Sequence, residues 1–360
     1  MKGRIANFSA GPAVLPEDVL REVQSNLFNY KGRGLSVMEM SHRSKDYQTI
    51  IDDAMLRARQ LMELGDDYEV LFLQGGASLQ FLMMPLNLCP DNKEPNYINT
   101  GTWATKALKE AKKIGKKMHL AASSEDREFR YIPREFKLSA NPAYLHITTN
   151  NTIRGTQYHQ FPEIGDIPLL CDISSDIFSH RIDFNKFSLI YAGAQKNIGP
   201  AGVVMVAIRQ DMLDRIPDGL PTMLDYRTHV DKGSMFNTPP SFAIYVMGLV
   251  FKWLQDNGGL DWIEERNRAK AGLIYDMIDS TDFYSGTADV ADRSLMNVTF
   301  RLPTEELEAK FIAEATGCGM NGLKGHRSVG GCRASIYNSL PVKACEQLAT
   351  FMREFKKQNG

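Results

Sequence analysis

Phe187-Ser-Leu-Ile-Tyr-Ala-Gly-Ala-Gln-Lys196-Asn-Ile-Gly-Pro-Ala-Gly202 places one lysine in a loop of small residues between two apolar runs, Ser188–Tyr191 and Val203–Ile208. Runs of this length and β-branched content read as buried strands. Twenty-four residues before the lysine, Ile167-Pro-Leu-Leu-Cys-Asp172 ends another apolar run on an aspartate. A loop lysine beside a strand-end aspartate is the pair that pyridoxal phosphate chemistry requires. The amine condenses with the cofactor aldehyde, and the carboxylate pairs with the protonated pyridine nitrogen. Taken singly, Lys196 also reads as a solvated loop lysine and Asp172 as a turn former. The rest of the chain has to decide between these readings.

Outward from this loop, strand signals recur at Tyr68–Leu73, Asn96–Ile98, Lys117–Ala121, Ala143–Thr148 and Pro168–Cys171. Helical patterns alternate with them. Pro16–Leu27 carries Val19, Leu20, Val23 and Leu27 on one face, and Tyr47–Met62 carries Ile50, Ile51, Ala54, Ala58 and Leu61. Ser78–Leu88, Ser241–Leu254 and Leu260–Ile278 read as further helices. This alternation predicts an α/β fold with a mostly parallel mixed sheet flanked by helices. The pattern then changes. Met296, Val298, Phe300 and Leu302 alternate as a half-exposed strand. Thr304 starts a helix carrying Leu307, Phe311, Ile312 and Ala315. Arg333–Tyr337 reads as a strand, and Cys345, Leu348, Met352 and Phe355 stripe a last helix. The expected division is a large domain over 16–264 and a small C-terminal α/β domain over 265–360, joined by 1–15.

Composition narrows the classes. A chain of 360 residues with 43% hydrophobic and 24% charged residues describes a soluble enzyme-sized protein with ample core. Its net charge of −1 gives no basic field for nucleic acid or an anionic membrane. The apolar runs are too short to span a bilayer, and Met1-Lys-Gly-Arg lacks the apolar stretch of a signal peptide, so a cytoplasmic location is expected. The five cysteines form no CxxC pair, and the seven histidines form no HExxH or other metal pattern, so no metal is expected. No GxSxG elbow with a plausible triad is present.

Three kinds of motif bear on chemistry. Gln74-Gly75-Gly76-Ala77-Ser78 is a glycine turn between a strand and a helix, where backbone amides converge on an anion. Trp103 opens a helix and can stack on a planar ring, and Thr152 follows a strand end where it can bond a ring hydroxyl. Ser41-His42-Arg43, Gly325-His326-Arg327 and Gly331-Cys332-Arg333 lie in loops. Arginine binds carboxylate and phosphate in bidentate fashion, so this set suits a substrate carrying both. Each motif alone has a plain structural reading, as a steric turn, a packing residue or a solvated loop.

Together with Phe8-Ser-Ala-Gly-Pro12, Ser36-Val-Met-Glu-Met-Ser-His-Arg43 and Gly233-Ser-Met-Phe-Asn-Thr-Pro-Pro240, these segments resemble the phosphoserine aminotransferase family, within the fold type I pyridoxal phosphate enzymes. The resemblance covers essentially the whole chain. It implies pyridoxal 5′-phosphate as cofactor, Lys196 as the Schiff-base lysine and Asp172 as partner of the pyridine nitrogen. Trp103 would stack on the ring, Thr152 would touch its hydroxyl, and Ala77, Ser78 and Gln195 would hold the phosphate. Asn237 and Thr238 would reach that phosphate from the neighbouring subunit of a homodimer with shared active sites. Ser9 and Arg43 match substrate-contacting positions; His42, His326 and Arg327 would bind the distal group of the substrate and Arg333 its α-carboxylate. The implied substrates are glutamate and 3-phosphohydroxypyruvate, in L-serine biosynthesis. The phosphorylated four-carbon keto acid of pyridoxine biosynthesis, 3-hydroxy-2-oxo-4-phosphobutanoate, is compatible with the same resemblance. Some members carry Gly-Gly-Gly-Arg-Gly-Gln at the phosphate turn, whereas this chain has Gly75-Gly-Ala-Ser-Leu-Gln80, so Ser78 replaces a cation.

Two rival readings differ in what they require. A cysteine desulfurase, the pyridoxal phosphate alternative, needs a mobile nucleophilic cysteine, for which Cys318 and Cys332 lie in the right region. A non-enzymatic interaction protein would lack Lys196, Asp172 or the arginines, and all are present.

Overall fold

The computed structural model describes residues 3–360. Its centre is a seven-stranded sheet of β1 (Tyr68–Leu73), β2 (Glu94–Asn99), β3 (His119–Ser123), β4 (Pro142–Thr148), β5 (Leu169–Asp172), β6 (Leu189–Gly193) and β7 (Val204–Arg209). The strand order is β1-β7-β6-β5-β4-β2-β3. β7 runs antiparallel to both neighbours, and all other pairs are parallel. The expected mostly parallel mixed sheet is therefore what forms. Both faces are apolar, as parallel strands covered on two sides require. Val70, Phe72, Ile147, Cys171, Ile190 and Met205 pack on one side with α1 (Glu17–Ser25), α2 (Lys45–Met62) and α5 (Ser241–Asp256). Leu71, Leu73, Tyr144, Leu170, Tyr191 and Val206 pack on the other with α3 (Gly76–Leu88), and α4 (Thr102–Lys113) covers the same face.

Register aligns the chemistry. Thr148 pairs with Asp172, and Asp172 with Tyr191, so the carboxyl ends of β4, β5 and β6 finish side by side. The loops leaving them carry Thr152, Asp172–Asp176 and Lys196 to one edge of the sheet, where ligands of open α/β folds bind.

The remaining residues build a second core. Helix α6 (Gly259–Asp279) contributes Leu260 and Ile263 to the first core, and Ala271, Ile274 and Ile278 to another with Phe300, Phe311, Leu348 and Phe355. An antiparallel three-stranded sheet of Ser285–Gly286, Asn297–Arg301 and Cys332–Ser335 lies there, with helices Glu305–Gly317 and Val342–Asn359. Ala6–Asn7 pairs in parallel with Met320–Asn321, and Ala6, Phe8 and Val14 join this core.

The half-exposed strand expected around Met296–Leu302 is a correction. Asn297 and Thr299, the polar face, are buried along with Val298 and Phe300. Alternation marks polar residues but does not say whether that face meets water or another part of the protein. Here Asn150 donates to Asn297 Oδ1 at 2.8 Å, Asn297 Nδ2 donates to Ser335 Oγ at 2.9 Å, and Ser294 donates to Asn150 Oδ1 at 2.5 Å. This network ties the loop after β4 to the second core. The short strands Asn150–Asn151 and Thr156–Gln157 within it carried no apolar signal.

Replacing Asn297 by Ala strands a buried amide of Asn150 and the Ser335 hydroxyl. We expect a loss of about 2–3 kcal/mol, read as a lowered urea midpoint at fixed protein concentration. An unchanged midpoint would show that the network adds no stability.

Candidate active site

Lys196 sits in the tight loop after β6, where Ile198 and Gly199 both donate backbone hydrogen bonds to Ala194 O. The residue after it is pinned from both sides. Asn197 Nδ2 donates to Ile177 O at 2.5 Å, and Asn338 N donates to Asn197 Oδ1 at 2.9 Å. The N-terminal segment closes over the lysine stem. A Cβ on Gly11 (φ +138°) would lie 3.3 Å from Lys196 Cγ, so only glycine passes easily. Lys196 Nζ donates to Thr152 Oγ1 at 2.8 Å and stands 5.0 Å from the centroid of the Trp103 ring. The side chain is half-buried, open only toward the cleft. Desolvation pulls its amine below the usual lysine range, while the charges of Asp172 and Asp176 act the other way and Arg333 adds to the lowering.

Asp172, at the end of β5, is buried, and its Oδ1 accepts from Ser174 N at 3.0 Å and Ser174 Oγ at 2.6 Å. Ser174 Oγ in turn accepts from Gly193 N at 2.9 Å, linking the aspartate to the end of the lysine strand. Behind them Asp176 is fully buried. Thr149 Oγ1 donates to its Oδ1 at 2.5 Å and Gln157 Nε2 to its Oδ2 at 3.2 Å. Burial raises the Asp176 carboxyl to about 7 against the pull of these donors, with Asp172 adding to the rise and Lys196 opposing it.

Opposite Lys196, helix α3 begins on Gly75 (φ +81°), where a Cβ would strike Leu79 Cδ2 at 2.6 Å. The amides of Gly76, Ala77 and Ser78 have no intrahelical acceptor, because the first helix-closing donor is Leu79 N onto Gly75 O. They face a cleft of about 460 Å³ lined by Gly75–Ser78, Trp103, Asp172, Ser174, Gln195, Lys196 and Gly202.

Among the residues singled out from sequence, the cleft thus gathers Lys196, Asp172, Trp103, Ala77, Ser78 and Gln195, with Thr152 against the lysine. Arg333 joins them, its Nη1 donating to Thr152 O at 3.3 Å and its Nε buried without a protein acceptor. His326 lies within reach of Arg333's charge: burial first, then the charges of Arg333, Arg327 and Lys106, hold the His326 imidazole below its ordinary range. Ser9 lies against Gly322, just beyond the strand pair Ala6–Asn7 and Met320–Asn321. Neither Ser9, His326 and Arg327 nor His42, Arg43, Asn237 and Thr238 line the cleft of their own chain, and Thr152 and Arg333 adjoin it only through Lys196 and each other. Arg43, Asn237 and Thr238 are exposed, and Thr238 O accepts from Gln74 Nε2 at 3.0 Å. The sequence reading missed Ser174, Asp176 and Lys106, which belong to no recognisable motif. Neither cysteine considered for desulfuration lines the cleft: Cys332 is buried with its thiol pushed up by desolvation, and Cys318 is exposed after the helix Glu305–Gly317.

The donor set fits pyridoxal phosphate. It offers a desolvated amine, a buried carboxylate across the cleft from three free helix-start amides, and an indole face with its Nε1 lacking a protein acceptor. Fold and site together define a pyridoxal phosphate-dependent aminotransferase. The family model of class-V aminotransferases matches residues 5–348, and the chain belongs to that family. It is 58% identical to the phosphoserine aminotransferase of Desulfatibacillum aliphaticivorans, with both chains covered in full. The solved phosphoserine aminotransferase of Bacillus circulans subsp. alkalophilus superposes with a TM-score of 0.97 at 50% identity, covering 99% of each chain. The pyridoxal phosphate-bound phosphoserine aminotransferase of Trichomonas vaginalis superposes with a TM-score of 0.92 at 37% identity, covering 97% of this chain and all of that one.

The Asp176 geometry sets a pH dependence. An unfolded aspartate ionises near about 3.9, whereas folded Asp176 ionises at about 7. Between these values the folded protein holds the extra proton, so this group's contribution to stability falls as pH rises through the window. In cofactor-free protein, Asp176→Asn should remove that decline in thermal unfolding scans from pH 4 to 8. An identical slope in the variant would contradict it.

Proposed function

We propose that the chain transfers the amino group of L-glutamate to 3-phosphohydroxypyruvate, reversibly, giving O-phospho-L-serine and 2-oxoglutarate in L-serine biosynthesis. The observation that carries this reading is Arg333, which donates to Thr152 beside Lys196 and whose charge, with that of Arg327, acts on His326; none of the three has an ion-pair partner among the described residues. A substrate bringing two anionic groups would complete the set. The same site would admit 3-hydroxy-2-oxo-4-phosphobutanoate, and we place the enzyme in the cytoplasm. None of the helices is long and apolar enough to cross a membrane among the described residues.

The cofactor, when bound, supplies a conjugated ring able to take up the electron pair left when the substrate α-proton departs. Lys196 would hold the cofactor through its Nζ, and when freed by a substrate amine it would carry the proton between the substrate α-carbon and the cofactor carbon that had borne the lysine. Desolvation lowers its proton affinity, which favours the free amine that a base role needs. Asp172, braced by Ser174, would keep the ring nitrogen protonated. Trp103 would stack on the ring and help to exclude water, and Thr152 would bond the ring hydroxyl. Ala77, Ser78 and Gln195 would hold the phosphate at the start of α3. Arg333 takes the α-carboxylate, and His326 and Arg327 the distal group. In this ping-pong scheme one site accepts a distal carboxylate and a distal phosphate in turn, a demand that flexible cationic side chains meet.

Asn237, Thr238, His42 and Arg43 do not line the cleft of their own chain, which supports a homodimer in which a second copy supplies them. Asn237 and Thr238 would complete the phosphate cradle, and His42 and Arg43 would join Ser9 of the first chain in the substrate pocket. We also assign 16–264 to a large cofactor domain and 265–360 with 1–15 to a small one.

Lys196→Ala should abolish transamination and leave folding intact, since a half-buried cleft lysine adds little stability. Borohydride reduction of the purified wild-type protein followed by peptide mapping should find the pyridoxyl group on Lys196; its recovery on another lysine would overturn the assignment. For the shared site, an Asn237→Ala/Thr238→Ala protein mixed with Lys196→Ala should regain activity in hybrid dimers, each with one intact site. No recovery under proven subunit exchange would place the whole site within one chain.

A further inference from the structure

Lys106 lies on α4 one turn beyond Trp103, and its Nζ stands 4.5 Å from the centroid of the Trp103 ring. Lys196 Nζ stands 5.0 Å from the same centroid, so two lysine nitrogens share one indole. The natural helical partner of Lys106 would be Glu110, four residues on. Glu110 pairs instead with Lys113 at 2.6 Å, and Lys106 is left exposed with no ion-pair partner among the described residues. The charge of Lys106 also reaches His326, where it acts alongside Arg333 and Arg327. His326 Nδ1 is held by Ser328 Oγ at 2.7 Å, which fixes the ring within this group. The charges of Lys106, Arg327 and Arg333 thus all act on this one histidine, and none of the three has an ion-pair partner among the described residues. Such charges repel one another unless an anion of higher charge completes the set.

We propose that Lys106 is a specificity-determining residue that binds the distal phosphate of the substrate from the Trp103 side of the cleft. The inference rests on the reading that the substrate carries a distal phosphate. A cation–π contact at an exposed site is weak, so the flexible lysine stem exchanges the indole face for a phosphate oxygen at little cost. The positive charge that Ser78 does not provide at the start of α3 is then supplied by the next helix. Lys106 also gives discrimination of the right sign. A phosphate dianion gains more from an added cation than the distal carboxylate of glutamate does, and an amino acid with no distal anion gains nothing.

The test uses the holoenzyme with Lys106→Met, which keeps the apolar stem on the indole, and Lys106→Arg, which restores the charge. Lys106→Met should lower kcat/KM for O-phospho-L-serine by about tenfold, mostly through KM, as loss of one charged contact implies. The loss should be smaller for glutamate and under about twofold for alanine. Borohydride-reduced enzyme, which cannot turn over, should show the same factor in the calorimetric Kd for O-phospho-L-serine, with a weaker salt dependence than wild type. Lys106→Arg should recover most of both. Equal losses for O-phospho-L-serine and alanine, or an unchanged Kd, would overturn the assignment of Lys106 alone if the wild-type enzyme still prefers O-phospho-L-serine over alanine. A wild-type enzyme without that preference would instead remove the phosphate reading, and the role of Lys106 with it.

Discussion

The structure is organised around one costly act, the partial desolvation of the Lys196 amine. Its direct neighbours are the Thr152 hydroxyl and the Trp103 ring face, while Asp172 and Asp176 act on it only through space. A carboxylate in contact would hold the amine charged and remove it from proton chemistry. The lysine is kept in place by packing and backbone pinning instead. Gly11 closes over its stem, and Asn197 is clamped between Ile177 and Asn338. Both restraints involve residues far away in sequence, so the lysine loop is defined only once the N-terminal segment and the second core have docked.

The same docking explains the buried polar residues at the junction. Asn150, Asn297, Ser294 and Ser335 join the loop after β4 to the small antiparallel sheet, and Arg333 leaves that sheet to reach Thr152. Buried amides specify an interface geometry more sharply than apolar contacts, because an unmatched amide is expensive. The arginine proposed for the α-carboxylate is thereby held in register with the lysine proposed to handle the α-proton.

The central sheet was legible because its inner strands are apolar on both faces, and Lys196 and Asp172 stood out because they follow such strands. Asp176 was not legible: an acid four residues past a strand end reads as a turn residue, and only burial between Thr149 and Gln157 reveals it. Lys106 was hidden by a pattern that signals nothing, a lysine four residues before a glutamate on a surface helix. The structure breaks that pair by giving Glu110 to Lys113. Asn297 and Thr299 misled because alternation reports polarity and cannot report what covers the polar face. The single chain also separates His42, Arg43, Asn237 and Thr238 from the cleft, a placement no local pattern encodes.

The central claim is that a site with a desolvated amine selects its amino donor by a distal phosphate read by otherwise unpaired cations. The most direct measurement is a single-turnover comparison of O-phospho-L-serine with L-serine on the wild-type holoenzyme, following loss of the cofactor's visible absorption. The account predicts a second-order rate constant higher for O-phospho-L-serine by roughly 10⁴-fold, since serine leaves the cations without a partner. Comparable rate constants for the two amino acids would contradict it.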